Sequence, residues 1–288
     1  MINKQKLGWI VHNELITQDI IPNSVPELLR KKGHEVVIAD IARFSDKLST
    51  TLPSDVDLWS GLGTISFLKR LPQLTTLRNI PLHSFFMSEG HSYMRYQSQI
   101  PKDKILNKDG FILPLSECMN RSASSISNAL SCNSIHIRPD NGLKVAEAHQ
   151  MNLNDDEWMS WIKNTMQFSG ANENTLFWFF PKQKIDAEYR LVIFNRKVVS
   201  QTPYPHDFNK LDSMDSSVPK AAIDLGNEVA QKLNLSDPIY VMDIARQGKT
   251  YKVIEINCMA SSGWYKLSPE AVVNHLSMAL TYIANDLY

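Results

Sequence analysis

The sequence predicts a fold of the α/β and α+β classes, with an N-terminal α/β domain and two or three lobes in all. Its 288 residues are more than one typical hydrophobic core requires. Within residues 1–85, short apolar strands alternate with helical patterns, which is typical of a parallel sheet. After residue 185 the pattern changes to two strand pairs with tight turns, which favours an antiparallel sheet.

In the N-terminal part, strands and helices follow one another. A helix is predicted over 22–32, because its apolar residues keep helical spacing and Gly33 is suited to end it. A second helix is predicted over 66–77, where Pro72 interrupts the pattern. Strands are predicted over 7–11, 35–39, 57–61 and 80–86.

The middle of the chain is a mixture of helices and strands. Asn154 and Asp155 precede an apolar pattern that includes Trp158, so a capped helix is predicted over 154–164. Further helices are predicted over 88–100 and 115–130, and strands over 134–138 and 174–181.

The C-terminal part has the clearest pattern. The predicted strands cover 186–194, 197–204, 239–246 and 251–257, and the predicted helices cover 218–233 and 268–287. Asn195 and Arg196 form the turn of the first strand pair. Ser268 caps the last helix, with Pro269 in its first turn.

Composition and charge narrow the class of protein. Hydrophobic residues make up 43% and charged residues 21%, and the formal net charge is zero, which argues against a broad nucleic-acid surface. No apolar stretch approaches the roughly 20 residues of a membrane span, and the N-terminal apolar run is too short for a signal peptide. We therefore expect a soluble protein that binds no membrane and for which nucleic acid is a disfavoured partner.

The sequence contains an odd number of cysteines, with no CxxC spacing among them: Cys118, Cys132 and Cys258. This argues against a disulfide framework and against a cysteine-rich zinc site. A reducing cytoplasm is the expected location.

The strongest functional pattern is a group of oxygen-bearing side chains near the C-terminus. Asp243, Glu255 and Asn257 lie within otherwise apolar strands. Two carboxylates that face each other repel unless a cation lies between them, and Mg²⁺ prefers oxygen ligands. The pattern therefore predicts a magnesium site. The alternative interpretation places the two acids on the solvent face of an antiparallel sheet.

This metal site depends on the register of one hairpin. Glu255 and Asn257 share a face of their strand because they are two residues apart. A three-residue turn over 248–250 would place Asp243 directly opposite Glu255, where cross-strand Cβ atoms lie about 4.5–5.5 Å apart. We expect that turn.

Two further segments bring cations to the predicted sheets. Glu188 and Arg190 share one strand face, and a strand-held arginine offers a fixed fork for phosphate or carboxylate. Arg138 ends a strand and is followed by a turn and by Lys144, and two such cations can hold a polyphosphate. The alternatives are a cross-strand salt bridge for the first pair and ordinary charged strand ends for the second.

In their order along the chain, these segments resemble the ATP-grasp superfamily. The similarity is to the clade named for one arginine and two lysines, and it extends over about residues 88–288. It is carried by 137–140 with Lys144, then by 188–190, 241–243 and 255–257, and also by 262–265 and by Asn107 with 112–114.

The resemblance implies three lobes, at 1–87, 88–180 and 181–288, of which the last two enclose ATP. It implies that Asp243, Glu255 and Asn257 bind magnesium. For nucleotide contacts it implies phosphate binding by Arg138, Lys144 and Arg190, with Glu188 beside them, and adenine near Phe179, Phe180 and Lys182. The clade's two lysines fall among Lys144, Lys182 and Lys184.

The function implied by the resemblance is an ATP- and Mg²⁺-dependent ligase. Arg190 and Arg138 would stabilise phosphoryl transfer to a carboxylate, and an amine or thiol would then attack the acyl phosphate. The acceptor could be an amino acid, a peptide or a protein end. The alternatives are a kinase-like or regulatory ATP-binding protein and a nucleic-acid-associated module with a degenerate nucleotide site.

Two other patterns have simpler explanations. Gly61 and Gly63 follow a strand as in a dinucleotide-binding loop, but a third glycine and a downstream acid are missing. The aromatic run 177–180 could stack on a base, although packing in the core is the favoured interpretation.

Overall fold

The fold is seen in a computed structural model, which describes residues 5–40, 52–76, 79–85, 91–140, 145–204 and 217–286. Within these residues are three four-stranded sheets, and each predicted segment contains one of them. The segment boundaries themselves stay a prediction.

The N-terminal sheet is parallel, as its alternating pattern predicts. Its strands are β1 (Leu7–His12), β2 (Glu35–Ala39), β3 (Leu58–Leu62) and β4 (Leu82–His83), in the order β2-β1-β3-β4. The helices around it are α1 (Asn13–Thr17), α2 (Val25–Lys31) and α3 (Ile65–Thr76). Gly33 has φ +87°, as expected of a residue that ends a helix.

The central sheet is antiparallel and is covered by short helices. Its strands are β5 (Phe111–Pro114), β6 (Ser134–Pro139), β7 (His149–Asn152) and β8 (Leu176–Pro181), in the order β5-β8-β6-β7. The helices of this region are α4 (Tyr93–Gln97), α5 (Leu115–Met119), α6 (Ala123–Leu130) and α7 (Asp155–Phe168). The Asn154 side chain caps α7 by accepting a hydrogen bond from the Glu157 backbone N–H at 2.8 Å, which confirms the predicted cap.

The C-terminal sheet is antiparallel, as its hairpin patterns predict. Its strands are β9 (Ala187–Phe194), β10 (Lys197–Pro203), β11 (Ile239–Gln247) and β12 (Thr250–Cys258), in the order β10-β9-β11-β12. Its helices are α8 (Lys220–Lys232) and α9 (Pro269–Asp286). Asn195 and Arg196 both have positive φ, as a tight hairpin turn requires.

Several predicted elements are wrong in extent. Among the described residues, the strand predicted over 80–86 is limited to β4, and the helix predicted over 88–100 is limited to α4. Residues 86 and 88–90 of these two predictions lie outside the described part of the chain. The helix predicted over 115–130 is divided into α5 and α6. The division has a local cause, because the Ser122 side chain accepts a hydrogen bond from the Ser125 backbone N–H and starts a new helix. Strand β7 was not predicted.

Each hydrophobic core contains residues from segments that are far apart in the sequence. Helix α9, at the C-terminal end, packs against α2, and its buried face shares a core with the N-terminal sheet. Tyr93 and Tyr96 of α4, which precede the central sheet, pack instead in the core of the C-terminal sheet. Contacts between distant parts of the chain therefore hold the three sheets together.

Candidate active site

The site is centred on the hairpin of β11 and β12. Two predictions were made about this hairpin: the length of its turn and the pairing of Asp243 with Glu255. The three-residue turn is wrong, because Gln247 pairs with Thr250 across a two-residue turn in which Gly248 has φ +59°. A β-bulge then shifts the register, so that Ile244 pairs with Val253 whereas Asp243 pairs with Glu255. The predicted pairing of Asp243 and Glu255 is confirmed, but the bulge produces it.

A row of charged residues crosses three neighbouring strands. Arg190 on β9 pairs with Asp243 on β11, and Asp243 pairs with Glu255 on β12. Directly paired residues lie on the same face of a sheet. The sequence pattern of alternating faces thus brings one cation and two carboxylates together.

Arg190 makes a two-point ion pair with Asp243. Its Nε donates to one carboxylate oxygen at 2.9 Å and its Nη2 to the other at 2.8 Å. Its Nη1 donates to the Gly263 carbonyl at 3.1 Å. Asp243 is 0% exposed and Arg190 is 3% exposed, so this pair is withdrawn from water. The cross-strand salt bridge considered for Arg190 is therefore present.

Two tyrosines cover the guanidinium of Arg190. The Tyr204 and Tyr265 ring centroids lie 4.8 Å and 5.1 Å from its central carbon, and the two rings meet edge to face at 4.9 Å. Tyr265 has φ +48°, a conformation that L-residues seldom adopt, in the loop that follows β12. We call Tyr204 and Tyr265 the tyrosine clamp.

The charge of Arg190 is stabilised although the group is buried. Burial alone lowers the pKa of a guanidinium, but the Asp243 carboxylate outweighs it and holds the pKa of Arg190 above its usual value. Burial also raises the pKa of Tyr204, so its hydroxyl stays protonated in the physiological range. The site therefore keeps a charged guanidinium beside the Asp243 carboxylate.

Glu255 links the C-terminal sheet to the central sheet. Its Oε1 accepts a hydrogen bond from the Asn257 amide at 2.6 Å, and its Oε2 lies 3.1 Å from Nη1 of Arg138. Arg138 comes from the end of β6 and lies over the Tyr93 ring at 5.3 Å. The Glu255 side chain is 27% exposed, so this ion pair lies nearer to solvent than the one between Arg190 and Asp243.

Glu188 completes the acidic group. Burial raises the pKa of Glu188 to about 9, and the negative charges of Asp243 and Glu255 contribute to this rise. A carboxyl group that is protonated beside two carboxylates marks a place where added positive charge is favoured.

The side-chain oxygens of Asp243, Glu255 and Asn257 are suitable ligands for Mg²⁺ if further ligands complete its coordination shell. Among the residues that the structure describes, no three His, Cys, Asp or Glu side chains form a metal site by themselves. Asp243, Glu255 and the amide oxygen of Asn257 offer part of an oxygen shell, and Mg²⁺ commonly takes its remaining ligands from phosphates and water. The residues present thus suit magnesium bound together with a nucleotide. The assignment of these residues stays a prediction.

A comparison with known protein families gives a match over the region that contains Arg190, Asp243 and Glu255. Residues 143–276 match the model of an ATP-grasp domain family, the third family of the clade named for one arginine and two lysines. This match supports the predicted resemblance to the ATP-grasp superfamily and to that clade. No curated protein sequence matches the chain at a significant level.

Solved structures share the whole ATP-grasp fold with this chain. D-alanine–D-alanine ligase from Bacillus anthracis, complexed with ATP, superposes with a TM-score of 0.64 at 12% identity and covers 99% of this chain and 100% of its own. D-cycloserine synthetase gives 0.59 at 10% identity, with 95% and 99% covered. A RiPP-associated ATP-grasp ligase from Chryseobacterium gregarium, in complex with ADP and with a leader and a core peptide, gives 0.57 at 12% identity, with 97% of both chains covered. At these identities the likeness shows the fold, and the predicted fold class is confirmed.

The other residues predicted to contact the nucleotide are not part of the row of Arg190, Asp243 and Glu255. Phe179 and Phe180 are buried against other aromatic rings, including Phe111 and Tyr93, so core packing accounts for both rings. Lys182 is exposed at the end of β8. Lys144 lies outside the described residues.

Sequence reasoning assigned no role to several residues of this site. The tyrosine clamp is formed by two loops that approach each other only in the folded chain. Asp140 is another example: it accepts hydrogen bonds from Ser92, Met94 and Trp178 at 2.6–2.8 Å and so ties α4 to the central sheet beside Arg138. The positive φ of Tyr265 leaves no signal in the sequence.

Proposed function

We propose that the protein is an ATP- and magnesium-dependent ligase that joins a carboxylate to an amine or a thiol through an acyl phosphate. The observation that supports this most is the row of Arg190, Asp243 and Glu255 on one sheet, which Arg138 joins from another. Small-molecule or peptide substrates and a cytoplasmic location belong to the same proposal. Among the described residues, no helix is both long and apolar enough to cross a membrane.

Asp243, Glu255 and Asn257 would hold the metal in this reaction. Magnesium bound there would neutralise phosphate oxygens, and ATP would supply the phosphoryl group. Asn257 already orients Glu255 through its hydrogen bond of 2.6 Å. Arg190 orients Asp243 through two hydrogen bonds, so both carboxylates are fixed before any ligand arrives.

The two arginines would have different parts in the transfer. A guanidinium has five N–H donors. Within the part of the chain that the structure describes, three of those of Arg190 are engaged with Asp243 and Gly263, which leaves two for a phosphate. Arg138 is held at one carboxylate oxygen of Glu255. It could move from Glu255 to a phosphate while the metal takes its place. Both cations would stabilise charge on the transferred group.

The fold neighbours support bond formation rather than phosphorylation alone. The three solved structures compared above are each named a ligase or a synthetase. The charged row and the fold together favour the ligase over a protein that only senses nucleotide. A nucleic-acid-associated module is disfavoured by the zero net charge.

Titration calorimetry with MgATP tests the metal assignment. We expect Glu255→Gln to weaken binding at least tenfold, because it removes the charge that would face the metal. Glu228→Gln is the matched control, since Glu228 lies on the exposed face of helix α8 and pairs only with Lys104 and Lys232 in the described part of the chain. Equal affinity in the wild type and in Glu255→Gln would overturn the assignment.

A second experiment separates ligation from phosphorylation. The protein is incubated with ATP, magnesium and a pool of acids and amines, and ADP release and mass gains are measured. A ligase releases ADP in proportion to a product that combines two pool members. ADP release with a phosphorylated acceptor as the final product would favour the kinase-like alternative.

A further inference from the structure

A cavity of about 440 Å³ lies at the end of the C-terminal sheet that is away from the row of Arg190, Asp243 and Glu255. It is lined by the turn at Asn195 and Arg196, by the loop before β11, and by Tyr282 of α9. Asn195, in the turn that follows β9, is five residues from Arg190, or about 17 Å at the usual strand rise. The volume is within the range of small-molecule sites, roughly 300–1,000 Å³. This cavity is separate from the proposed ligase site.

A buried carboxylate forms part of the cavity wall. Asp237 lines the cavity and is 5% exposed. Its Oδ2 has no hydrogen-bond partner among the described residues, and the Nε2 of His91, which also lacks one, lies 3.7 Å away. That separation is too long for a hydrogen bond. Buried carboxylates are nearly always hydrogen-bonded, so this one calls for a donor.

Asp237 and His91 do not neutralise each other at neutral pH. Burial lowers the pKa of His91 to about 4, so the imidazole carries no charge, and burial raises the pKa of Asp237 to about 7. A ligand that carried an ammonium group would restore the full negative charge of Asp237 and would pair with it.

A cation and apolar side chains surround the rest of the cavity. Arg196 is exposed at the hairpin turn, and its charge opposes the rise that burial gives to the pKa of Tyr240, so it lies near that phenol. The Tyr240 hydroxyl has no hydrogen-bond partner among the described residues. Leu233 and Phe194 supply apolar surface. The cavity thus offers an anion, a cation and an apolar wall.

We propose that this cavity binds an apolar α-amino acid, whose ammonium group donates to Asp237 and whose carboxylate pairs with Arg196. A zwitterion fits better than a simple amine, because Arg196 would repel a ligand without an anionic end. It also fits better than a simple acid, because Asp237 would then stay without a donor.

Titration calorimetry with L-phenylalanine tests this site. Saturable binding to the wild type is expected, with at least tenfold weaker binding of phenethylamine, which lacks the carboxylate, and of 3-phenylpropionate, which lacks the ammonium group. Asp237→Asn should weaken phenylalanine binding at least tenfold. Arg196→Asn, which tolerates the positive φ of this turn, should weaken phenylalanine but not phenethylamine.

Thermal unfolding without ligand separates a binding role from a structural one. Asp237→Asn should leave Tm unchanged or raise it, because it removes a buried carboxylate that has no hydrogen bond at Oδ2. Asp224→Asn, on the exposed face of α8, is the matched control. Glu255→Gln should bind phenylalanine like the wild type, which keeps this test apart from the ligase proposal. Absence of saturable binding to the wild type, equal binding by Asp237→Asn, or a lowered Tm in that variant would overturn the proposal.

Discussion

The two arginine–carboxylate pairs of the candidate site are formed in different ways. Arg190 and Asp243 lie on adjacent strands of one sheet, both are buried, and two hydrogen bonds join them. Arg138 reaches Glu255 from another sheet, through one contact of 3.1 Å, and Glu255 is partly exposed. The first pair is part of the sheet, whereas the second pair is a contact between sheets.

The difference indicates which cation is fixed and which can move. Arg190 is held by Asp243, Gly263 and the tyrosine clamp, so its displacement would take from the buried Asp243 carboxylate its opposite charge and two hydrogen bonds. Arg138 is released more easily because water can solvate Glu255. We infer that Arg190 positions the site and that Arg138 responds to a bound ligand.

The largest effect is expected when the buried pair is broken. Asp243→Asn should lower the free energy of unfolding by about 3–5 kcal/mol, because Arg190 is left as an uncompensated buried charge. Urea unfolding measures this change. Replacing both members together, as in Arg190→Met with Asp243→Leu, should recover much of the loss. A single-variant loss below about 1 kcal/mol would contradict the proposed difference between the pairs.

The pair between sheets should contribute less to stability. Arg138→Gln should lower the free energy of unfolding by about 1–3 kcal/mol, the usual cost of leaving a polar partner unsatisfied. Hydrogen exchange should become faster in β6 and α4 and stay unchanged in β9. Arg121→Gln is the control, because Arg121 is exposed and pairs with Glu117 on the surface. Faster exchange in β9 as well would show that the two pairs are not independent.

The pH dependence of stability tests the acidic group beside Arg190. The pKa of Glu188 is raised to about 9 in the folded state from an ordinary value of 4.5, so the folded state binds the extra proton. Stability therefore falls as pH rises between these values, with a slope of up to about 1.4 kcal/mol per pH unit. Glu188→Gln should flatten the slope of urea-unfolding free energy between pH 6 and 8. An unchanged slope would show that the pKa of Glu188 is not raised by burial beside Asp243 and Glu255.

The smallest effect is expected from the tyrosine clamp. Tyr204→Leu keeps an apolar side chain but removes the ring over Arg190, and should lower the free energy of unfolding by about 0.5–2 kcal/mol. Tyr204→Phe keeps the ring over Arg190 but removes the hydroxyl that hydrogen-bonds with Tyr265, and should lose less stability than Tyr204→Leu, as judged by urea unfolding. If both variants lose the same stability, the hydroxyl matters and the cation–π contact does not.

Much of the site was predictable because it depends on short-range rules. Residues two apart on a strand share a face, which placed Glu255 with Asn257 and Glu188 with Arg190. The pairing of Asp243 with Glu255 was predicted from a turn of the wrong length. A bulge after Asp243 corrects the register, and a bulge has no reliable sequence signature.

Local sequence patterns were enough to predict the alternating strands, the positions of the two hairpins and the shared faces of Glu255 with Asn257 and of Glu188 with Arg190, because side-chain alternation and turn chemistry act over a few residues. Tertiary packing decided that Arg138 meets Glu255, that the tyrosine clamp covers Arg190, and that α9 returns to the N-terminal sheet. These contacts join segments that are tens to hundreds of residues apart along the chain. Their formation depends on how whole sheets pack together, and no local pattern records that.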